Sequence, residues 1–304
     1  MKLSICIPVY NGAQTIDDLV KDIQVNLFDY ELEVILVNDG SKDNSVEICV
    51  GLAKQYDFVK FINLRKNFGE HNAVLCGLNY STGDYVAIID DDFQNPPSEI
   101  IKLLNVALSH DHDVVYSKYE EKKHHWFRNL GSALNDKVAT YLLNKPQDLY
   151  LSSFKLIKKE VVEEIIKYRG PFPYIDGLVL RVTDSIGTEY VEHSKRINGE
   201  SNYTLRKLIS LWLNMFVNFS IKPLRIATVV GIIISFFSFL FGISFILEKV
   251  LYPDTAIGWT SLMVAVLFLS GIQLVFLGII GEYLGKQYLD QNGTPPYVVK
   301  QEYI

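Results

Sequence analysis

Two long apolar runs near the C-terminus constrain this chain more than any other feature. Residues 226–247 and 257–281 contain no charged side chain. Each run exceeds the roughly 20 residues that a helix needs to cross a hydrocarbon core about 30 Å thick. The helical core of a soluble protein is the alternative, but uncharged runs of this length favour membrane spans. The short link E-K-V-L-Y-P-D-T-A (248–256) predicts that the two spans form a hairpin.

The distribution of basic residues predicts the orientation of this hairpin. The stretch before the first run carries six bases: Lys195, Arg196, Arg206, Lys207, Lys222 and Arg225. The link carries one, Lys249. Because positive charge is retained on the cytoplasmic side, we expect the residues before 226 and after 281 to be cytoplasmic. The protein would then be a multi-pass component of the plasma (inner) membrane, in contact with membrane lipids.

The composition changes near residue 200, and the chain divides accordingly. We expect a cytoplasmic domain (1–200), an interfacial amphipathic helix (201–223), two transmembrane helices (224–283) and a cytoplasmic tail (284–304). A buried amphipathic helix is the alternative for the second segment. The net charge of −6 argues against nucleic acid as a partner. The three cysteines form no C-x-x-C pair, which fits a reducing compartment.

The first 200 residues alternate between strand-like and helix-like segments. The β-branched runs that predict strands are 3–9, 33–37, 58–64, 85–89 and 113–116. The stretches that predict helices lie near 15–27, 43–55, 70–80 and 98–109. A further helix is expected near 129–143, another over 174–186, and a strand over 188–197. This alternation predicts an α/β fold with a Rossmann-like, mostly parallel sheet. Ligands of such sheets bind beyond the carboxyl ends of the strands.

Three acidic residues end the fourth predicted strand, in I-I-D-D-D-F-Q-N-P-P (88–97). Crowded carboxylates repel one another, and a divalent cation relieves that repulsion. Asp90, Asp92 and Gln94 alternate, so an extended segment would place them on one side as ligands for Mg²⁺ or Mn²⁺. Asp91, the middle residue of the triplet, is either an outer-shell ligand or solvated, and we expect it to be solvated. A solvated acidic turn without metal is the alternative interpretation of the whole segment.

Polar residues also follow the first two predicted strands. Asp39, in V-N-D-G-S (37–41), is placed to hydrogen-bond a base or ribose, although a simple strand–turn–cap is the alternative. Pro8, Tyr10 and Asn11 close the first strand and are placed to wall a nucleotide. The chain has no Walker A string and no G-x-G-x-x-G, which excludes the usual phosphate-loop and dinucleotide sites. In the charged segment after residue 118, Arg128 is a candidate phosphate contact.

In combination, these motifs resemble the inverting family 2 glycosyltransferases of the GT-A fold. The matching strings are S-I-C-I-P-V-Y-N (4–11), V-N-D-G-S-K-D-N-S (37–45), I-D-D-D-F-Q-N-P-P (89–97), R-I-N-G-E-S-N-Y-T-L-R-K-L (196–208) and G-E-Y-L-G-K-Q-Y (281–288). The chain is most similar to the polyprenyl-phosphate subgroup, which includes dolichol-phosphate mannose synthase and bacterial undecaprenyl-phosphate glucosyl and aminoarabinosyl transferases. The resemblance covers nearly the whole chain.

The resemblance implies transfer of a sugar from a UDP- or GDP-linked donor to polyprenyl phosphate, with inversion and a divalent metal. It implies nucleotide contacts from Pro8, Tyr10, Asp39 and Asp90. The implied metal ligands are Asp90, Asp92 and Gln94. The implied phosphate contacts are Arg196, Ser201 and Tyr203, and Asp92 and Arg196 carry the catalytic roles. A homo-oligomer, such as a tetramer, is also implied. The β-prone tail T-P-P-Y-V-V-K-Q-E-Y-I (294–304) is able to add a strand to a neighbouring chain, and a frayed terminus is the alternative.

Ser153 departs from the family pattern. Several relatives have an aspartate immediately before the Phe in the segment that here reads Y-L-S-S-F-K-L-I (150–157). An acidic role therefore does not carry over to this position, and the resemblance leaves the sugar and acceptor open. Two other interpretations also stay open: a transferase that uses another lipid acceptor, such as a lipid-linked oligosaccharide or a glycerolipid, and a catalytically inactive membrane scaffold.

Overall fold

The computed structural model describes residues 1–119, 140, 145–146, 149–193, 222–251 and 258–304. The chain forms two compact units. One contains Met1–Tyr203 together with Asn292–Ile304, and the other contains Thr204–Gln291. The last residues of the chain therefore belong to the same unit as the first 200.

The first unit is built from strands and helices in alternation. Its described strands are β1 (Lys2–Val9), β2 (Glu31–Asn38), β3 (Val59–Leu64), β4 (Tyr85–Ile88), β5 (Val114–Lys118), β6 (Lys155–Lys158), β7 (Ile186–Tyr190) and β8 (Val299–Tyr303). Its described helices are α1 (Ile16–Asn26), α2 (Ser45–Gln55), α3 (Glu70–Tyr80), α4 (Glu99–His110), α5 (Lys159–Ile165) and α6 (Ile175–Val182). The predicted helix near 129–143 lies outside the described residues except for position 140.

These strands form one mixed sheet in the order β7-β5-β6-β4-β1-β2-β3-β8. The central strands β4, β1, β2 and β3 are parallel, as the alternation predicted. β6 runs antiparallel to both of its neighbours, β4 and β5, and β8 runs antiparallel to β3. Because the four parallel strands point the same way, the loops that follow β1, β2 and β4 meet at one edge of the sheet.

The core lies on both faces of this sheet, which explains the continuous apolar runs of the central strands. In β1, every residue from Leu3 to Val9 is buried. Helix α1 buries one face against the sheet through Ile16, Leu19, Val20 and Ile23. Spacing of three and four residues puts these side chains on one stripe of the helix.

Four elements of this unit differ from the sequence-based expectations. The strand predicted over 188–197 is β7, which ends at Tyr190, and the helix predicted over 174–186 is α6, which ends at Val182. The short pair β6 and α5 was not predicted. The tail forms the expected strand, β8, which pairs with β3 of the same chain.

The second unit contains two long helices, α7 (Lys222–Leu251) and α8 (Trp259–Gln291). Their apolar windows, Leu224–Ser244 and Phe268–Gln291, have mean hydropathies of 2.5 and 1.5 and are 0% buried. Both helices are therefore long and apolar enough to cross a membrane. The interfacial helix predicted over 201–223 lies outside the described residues, apart from the first two residues of α7.

Candidate active site

The loops after β1 and β2 are joined at the carboxyl edge of the sheet through Asn11. Its backbone N–H donates to Ser41 Oγ at 2.9 Å, and its side-chain oxygen accepts from the Lys42 N–H at 2.8 Å. Asn11 has a φ of 57°, a left-handed conformation that Asn tolerates better than most residues. Asn11, which was predicted to bind the nucleotide, thus holds two loops together. Its neighbour Tyr10 is 46% exposed, whereas Pro8 is buried within β1.

Asp39 is buried at the end of β2 and organises the loop before α3. Its two carboxylate oxygens accept from the Phe68 N–H at 2.6 Å and the Gly69 N–H at 2.9 Å. Burial raises the pKa of Asp39 in spite of these bonds. The following residue, Gly40, has a φ of 69°, and a Cβ there would lie 2.6 Å from the Asn67 nitrogen, so only glycine fits.

Asp91 is a structural residue, and the expectation that it is solvated was wrong. Its Oδ2 accepts from the Tyr10 N–H at 2.9 Å, and its backbone oxygen accepts from Thr15 Oγ1 at 2.5 Å. A Cβ on Gly12 would lie 2.4 Å from the same Oδ2. The acidic segment is therefore attached directly to the loop that follows β1.

The segment that carries Asp90, Asp92 and Gln94 turns instead of running straight on from β4. The Gln94 N–H donates to Asp92 Oδ1 at 3.1 Å, and Phe93 has a φ of 61°. The prediction that an extended segment aligns the three side chains was therefore wrong, and a tight turn replaces it. Asp90 accepts a hydrogen bond from Ser153 Oγ at 2.6 Å.

A polar network extends the site beyond the residues that the sequence pointed to. The buried Asn95 accepts from Tyr119 OH at 2.9 Å, and its Oδ1 lies 3.4 Å from His193 Nδ1. The other ring nitrogen of His193 lies 3.4 Å from Gln94 Nε2, and its ring centroid is 4.5 Å from that of Tyr119. His193 was not predicted because it is a lone histidine, distant in sequence from the acidic segment.

Glu70, at the start of α3, is the second residue that sequence reasoning missed. Burial raises its pKa to about 7, and the negative charges of Asp90, Asp176 and Asp92 act in the same direction. Burial is the main cause of this rise, and the smaller effects of Asp90 and Asp92 indicate that their negative charge is directed toward the start of α3.

These residues fit a hard divalent cation that is also held by its substrate. Among the described residues, no three His, Cys, Asp or Glu side chains form a metal-binding group by themselves. Mg²⁺ is commonly held through one or two carboxylates together with substrate phosphates. Asp90 and Asp92 supply two carboxylates, and Gln94 supplies an amide oxygen. The negative charge of Asp90 and Asp92, which also acts to raise the pKa of Glu70, favours a cation.

Four predicted residues, Arg128, Arg196, Ser201 and Tyr203, lie outside the described residues. The fold and the carboxyl-edge site can nevertheless be compared with known proteins. The sequence profile of glycosyl transferase family 2 matches residues 4–166, more than half of the chain. The chain belongs to glycosyl transferase family 2. The resemblance inferred from the motifs is thereby confirmed, and the acidic turn of this family 2 glycosyltransferase lies within the matched region.

Two relatives match along almost the full length of this family 2 glycosyltransferase. One is a prophage bactoprenol glucosyl transferase homolog of Escherichia coli, 31% identical over 315 residues, covering 99% of each chain. The other is an undecaprenyl-phosphate 4-deoxy-4-formamido-L-arabinose transferase of Serratia proteamaculans, 31% identical over 307 residues. That match covers 99% of this chain and 93% of the relative. Both matches include the apolar helices as well as the sheet.

A solved structure shares the fold of the family 2 glycosyltransferase. It is glucosyl-3-phosphoglycerate synthase from Mycobacterium tuberculosis in complex with Mn²⁺, UDP-glucose and phosphoglyceric acid. The TM-score is 0.53 at 17% identity, and the alignment covers 70% of this chain and 78% of the synthase. The GT-A-like α/β fold expected from the sequence is therefore confirmed, with a mixed sheet in place of the mostly parallel one that was predicted.

Proposed function

We propose that this protein transfers a sugar from a UDP- or GDP-linked donor to a polyprenyl phosphate, with inversion and with Mg²⁺ or Mn²⁺, at the cytoplasmic face of the plasma membrane. One observation carries the proposal. The same chain joins an acidic turn at the carboxyl edge of an α/β sheet to two exposed apolar helices. A bactoprenol glucosyl transferase homolog and an undecaprenyl-phosphate transferase with this full-length layout support the lipid acceptor.

The donor nucleotide is proposed to lie against the loops after β1 and β2. The half-exposed Tyr10 offers a ring for the base, while Asn11 holds the two loops in register. Asp39 has both carboxylate oxygens engaged by backbone N–H groups, so it shapes this wall and keeps lone pairs for a ribose or base donor. Because hydrogen bonds already fix these loops, binding of the donor requires less reorganisation.

The diphosphate is proposed to lie at the acidic turn. Asp90, Asp92 and Gln94 would hold the divalent cation, which neutralises charge that develops on the leaving diphosphate. Arg128, Arg196, Ser201 and Tyr203 are proposed to contact phosphates of the donor or acceptor, Arg196 through the two-pronged geometry of a guanidinium. The protein's main contributions are then placement and electrostatic stabilisation.

The acceptor makes a general base unnecessary. A phosphate monoester is already anionic at neutral pH, since its second pKa is about 6. Its oxygen attacks the anomeric carbon opposite the leaving diphosphate, one C–O bond forms as the other breaks, and the configuration inverts. No proton has to be removed from this nucleophile. The residues need only bring the phosphate into line with the donor, which is an orientation effect.

The membrane part is proposed to deliver that phosphate. Helices α7 and α8 would span the bilayer as a hairpin, and residues 201–223 would lie in the interface with Arg206 and Lys207 near lipid head groups. Residues 1–200 and the tail 284–304 would remain cytoplasmic. A homo-oligomer is proposed from the resemblance alone. In this arrangement the long polyprenyl chain stays in the bilayer while its head group reaches the soluble domain.

The test is a product assay with the full-length protein purified in detergent. It is incubated with Mn²⁺ or Mg²⁺, undecaprenyl phosphate and, separately, each of a panel of UDP- and GDP-sugars. Mass spectrometry of the lipid phase should show one sugar added to the lipid phosphate. If a lipid-linked oligosaccharide or a glycerolipid is glycosylated instead, the acceptor is wrong. If no donor is consumed with any acceptor, the proposed activity is wrong.

Asp92→Asn is the matched loss-of-function variant. Removing this carboxylate should lower the transfer rate by about a thousandfold, because the metal supplies several kcal/mol of charge stabilisation. Asp57→Asn makes the same chemical change at an exposed position between α2 and β3, at the opposite edge of the sheet, and should retain normal transfer. Full activity of wild type in excess chelator would overturn the metal assignment, and normal transfer by Asp92→Asn with metal present would remove Asp92 from it.

A further inference from the structure

Ser153 lies opposite the first residue of the acidic triplet. Strands β4 and β6 are antiparallel, with Ile88 paired to Lys155. Continuing the pairing two residues past the end of β4 brings Asp90 to Ser153. The Ser153 hydroxyl donates to Asp90 Oδ2 at 2.6 Å in a half-buried setting. A hydrogen bond to an ionised acceptor at this distance belongs to the stronger class of protein hydrogen bonds.

The rest of the acidic turn is anchored at two other points. Asp91 is attached to the loop after β1 through the Tyr10 N–H. Asn95 is attached through Tyr119 OH, which in turn lies 3.0 Å from Ser152 Oγ. Two adjacent serines, which lie just before β6, therefore hold the two ends of the turn. Ser152 reaches the Asn95 end through Tyr119, and Ser153 contacts Asp90 directly.

Serine at position 153 also determines how much negative charge faces Asp90. An aspartate at this position would place a second carboxylate opposite Asp90, and two close carboxylates repel one another unless a cation or a proton lies between them. A serine hydroxyl instead donates to Asp90 and holds its carboxylate in one orientation without a cation.

We propose that Ser153 is a positioning residue that orients the Asp90 carboxylate and thereby sets the affinity of the acidic turn for its divalent cation. The inference rests on the proposed function, because it takes Asp90 as a metal ligand. Groups that orient metal ligands from behind typically contribute about 10- to 100-fold to metal affinity. Ser153 does not touch the reacting atoms, so its effect should appear in metal binding before it appears in turnover.

The experiment measures Mn²⁺ binding to the full-length protein in detergent by electron paramagnetic resonance, with and without UDP. Ser153→Ala should raise the Mn²⁺ dissociation constant about tenfold, because Asp90 loses its orienting donor. Ser153→Thr retains a hydroxyl at the same position and should bind Mn²⁺ within about twofold of wild type. Ser109→Ala is the matched control, since Ser109 is exposed at the far end of α4.

Circular dichroism melts establish that each variant is folded before its affinity is compared. If wild type and Ser153→Ala bind Mn²⁺ equally, the positioning role is wrong while the proposed metal site stands. If Ser153→Thr is as weak as Ser153→Ala, the hydroxyl is not what orients Asp90, and the inference is again wrong. If wild type itself binds no Mn²⁺ even with UDP, the metal assignment in the proposed function is the part that fails.

Discussion

Neighbouring aspartates in the acidic turn have different surroundings, and their roles follow from those surroundings. Asp91 is bonded to the Tyr10 N–H and crowds Gly12, so it belongs to the framework of the site. Asp92 bonds within its own turn, to the Gln94 N–H. Removing Asp91 breaks a hydrogen bond between two segments that are distant in sequence, whereas removing Asp92 breaks only a bond within one turn and also relieves repulsion in the metal-free protein.

Asp91→Ala should therefore lower stability, and Asp92→Ala should not. We expect Asp91→Ala to lower the free energy of unfolding by about 1 kcal/mol, the usual net value of such a hydrogen bond. This loss corresponds to a melting temperature lower by about 2–4 °C for a domain of this size. Melting curves of the full-length variants in detergent with EDTA would measure both. A larger loss for Asp92→Ala than for Asp91→Ala would reverse the two assignments.

Glu33 is a buried carboxylate at the edge of the sheet opposite the candidate site. Its oxygens accept from Ser4 Oγ at 2.5 Å and from the Thr82 N–H at 2.8 Å, and they lie 2.8 Å from Lys60 Nζ. Burial alone would raise the pKa of Glu33, but these hydrogen bonds outweigh it and lower the pKa from 4.5 to about 2. The ionised form is thus the one that the folded state stabilises.

This depressed pKa makes stability dependent on pH in acid. The contribution is complete above the unfolded pKa of 4.5 and is lost as the pH falls toward about 2. This difference in pKa between the unfolded and folded states corresponds to about 3 kcal/mol in the free energy of unfolding. Melting temperatures measured between pH 7 and pH 3 should fall less steeply for Glu33→Gln, which should already be less stable at pH 7. Glu163→Gln, at an exposed position of α5, should follow wild type. Parallel curves for wild type and Glu33→Gln would contradict this account.

Much of the site could be predicted from sequence because its residues follow strands. Asp39 and Asp90 each follow an apolar run, and parallel strands bring such positions to one edge. Glu70, Ser153 and His193 could not be found in this way, since their roles depend on the three-dimensional approach of α3, β6 and the segment after β7. The prediction that Asp91 is solvated failed because its partner, the Tyr10 N–H, lies 81 residues away in sequence and is brought to it by the fold.

At the scale of elements, local sequence predicts the strand β8 but not its partner within the chain. The central strands and helices α1 to α4 follow from alternation and periodicity, and their predicted bounds agree with the structure to within a few residues. β8 is a five-residue strand next to the C-terminus, and its partner β3 lies more than 200 residues earlier. Its identity depends on long-range contacts: Tyr303 stacks over Phe61, and Tyr80 OH donates to Glu302 Oε2 at 2.6 Å.

Deleting residues 297–304 should destabilise the soluble unit. The deletion uncovers the edge of β3 and the ring of Phe61, and we expect a loss of about 3 kcal/mol from the apolar surface exposed. Glu302→Gln weakens only the bond to Tyr80 and should lose about 1 kcal/mol. Melting curves measure both effects.

Light scattering of the same samples distinguishes two ways of pairing β8. If the strand pairs within its own chain, the deletion leaves the mass of the protein in detergent unchanged. A fall in mass with an unchanged melting temperature would show instead that the tail joins neighbouring chains.

At the scale of the whole molecule, the order of the chain restricts the arrangement in the membrane. Residues on both sides of the helical unit, Met1–Tyr203 and Asn292–Ile304, belong to one compact unit. A folded domain lies on a single side of a bilayer, so the intervening chain must cross an even number of times. Two helices of sufficient length, α7 and α8, satisfy this requirement, and it supports the proposed hairpin independently of the basic residues.

Cysteine labelling tests the hairpin directly. A cysteine at Pro253 should react with a membrane-impermeant maleimide in intact cells, and one at the exposed Asn292 should react only after the cells are permeabilised. The native Cys6, Cys49 and Cys76 are buried and should give little background. Labelling of Asn292→Cys but not Pro253→Cys in intact cells would reverse the orientation and place the donor site on the wrong side for cytoplasmic sugar nucleotides.

The position of β8 also determines when the enzyme can finish folding. Chains fold from the N-terminus during synthesis, and residues 299–303 are synthesised after both apolar helices. The sheet can therefore be completed only after the whole of α7 and α8 has been made. A nascent chain that has not reached residue 299 keeps an open edge on β3, a surface that chaperones and proteases recognise. Completion of the sheet therefore reports that both apolar helices have been synthesised.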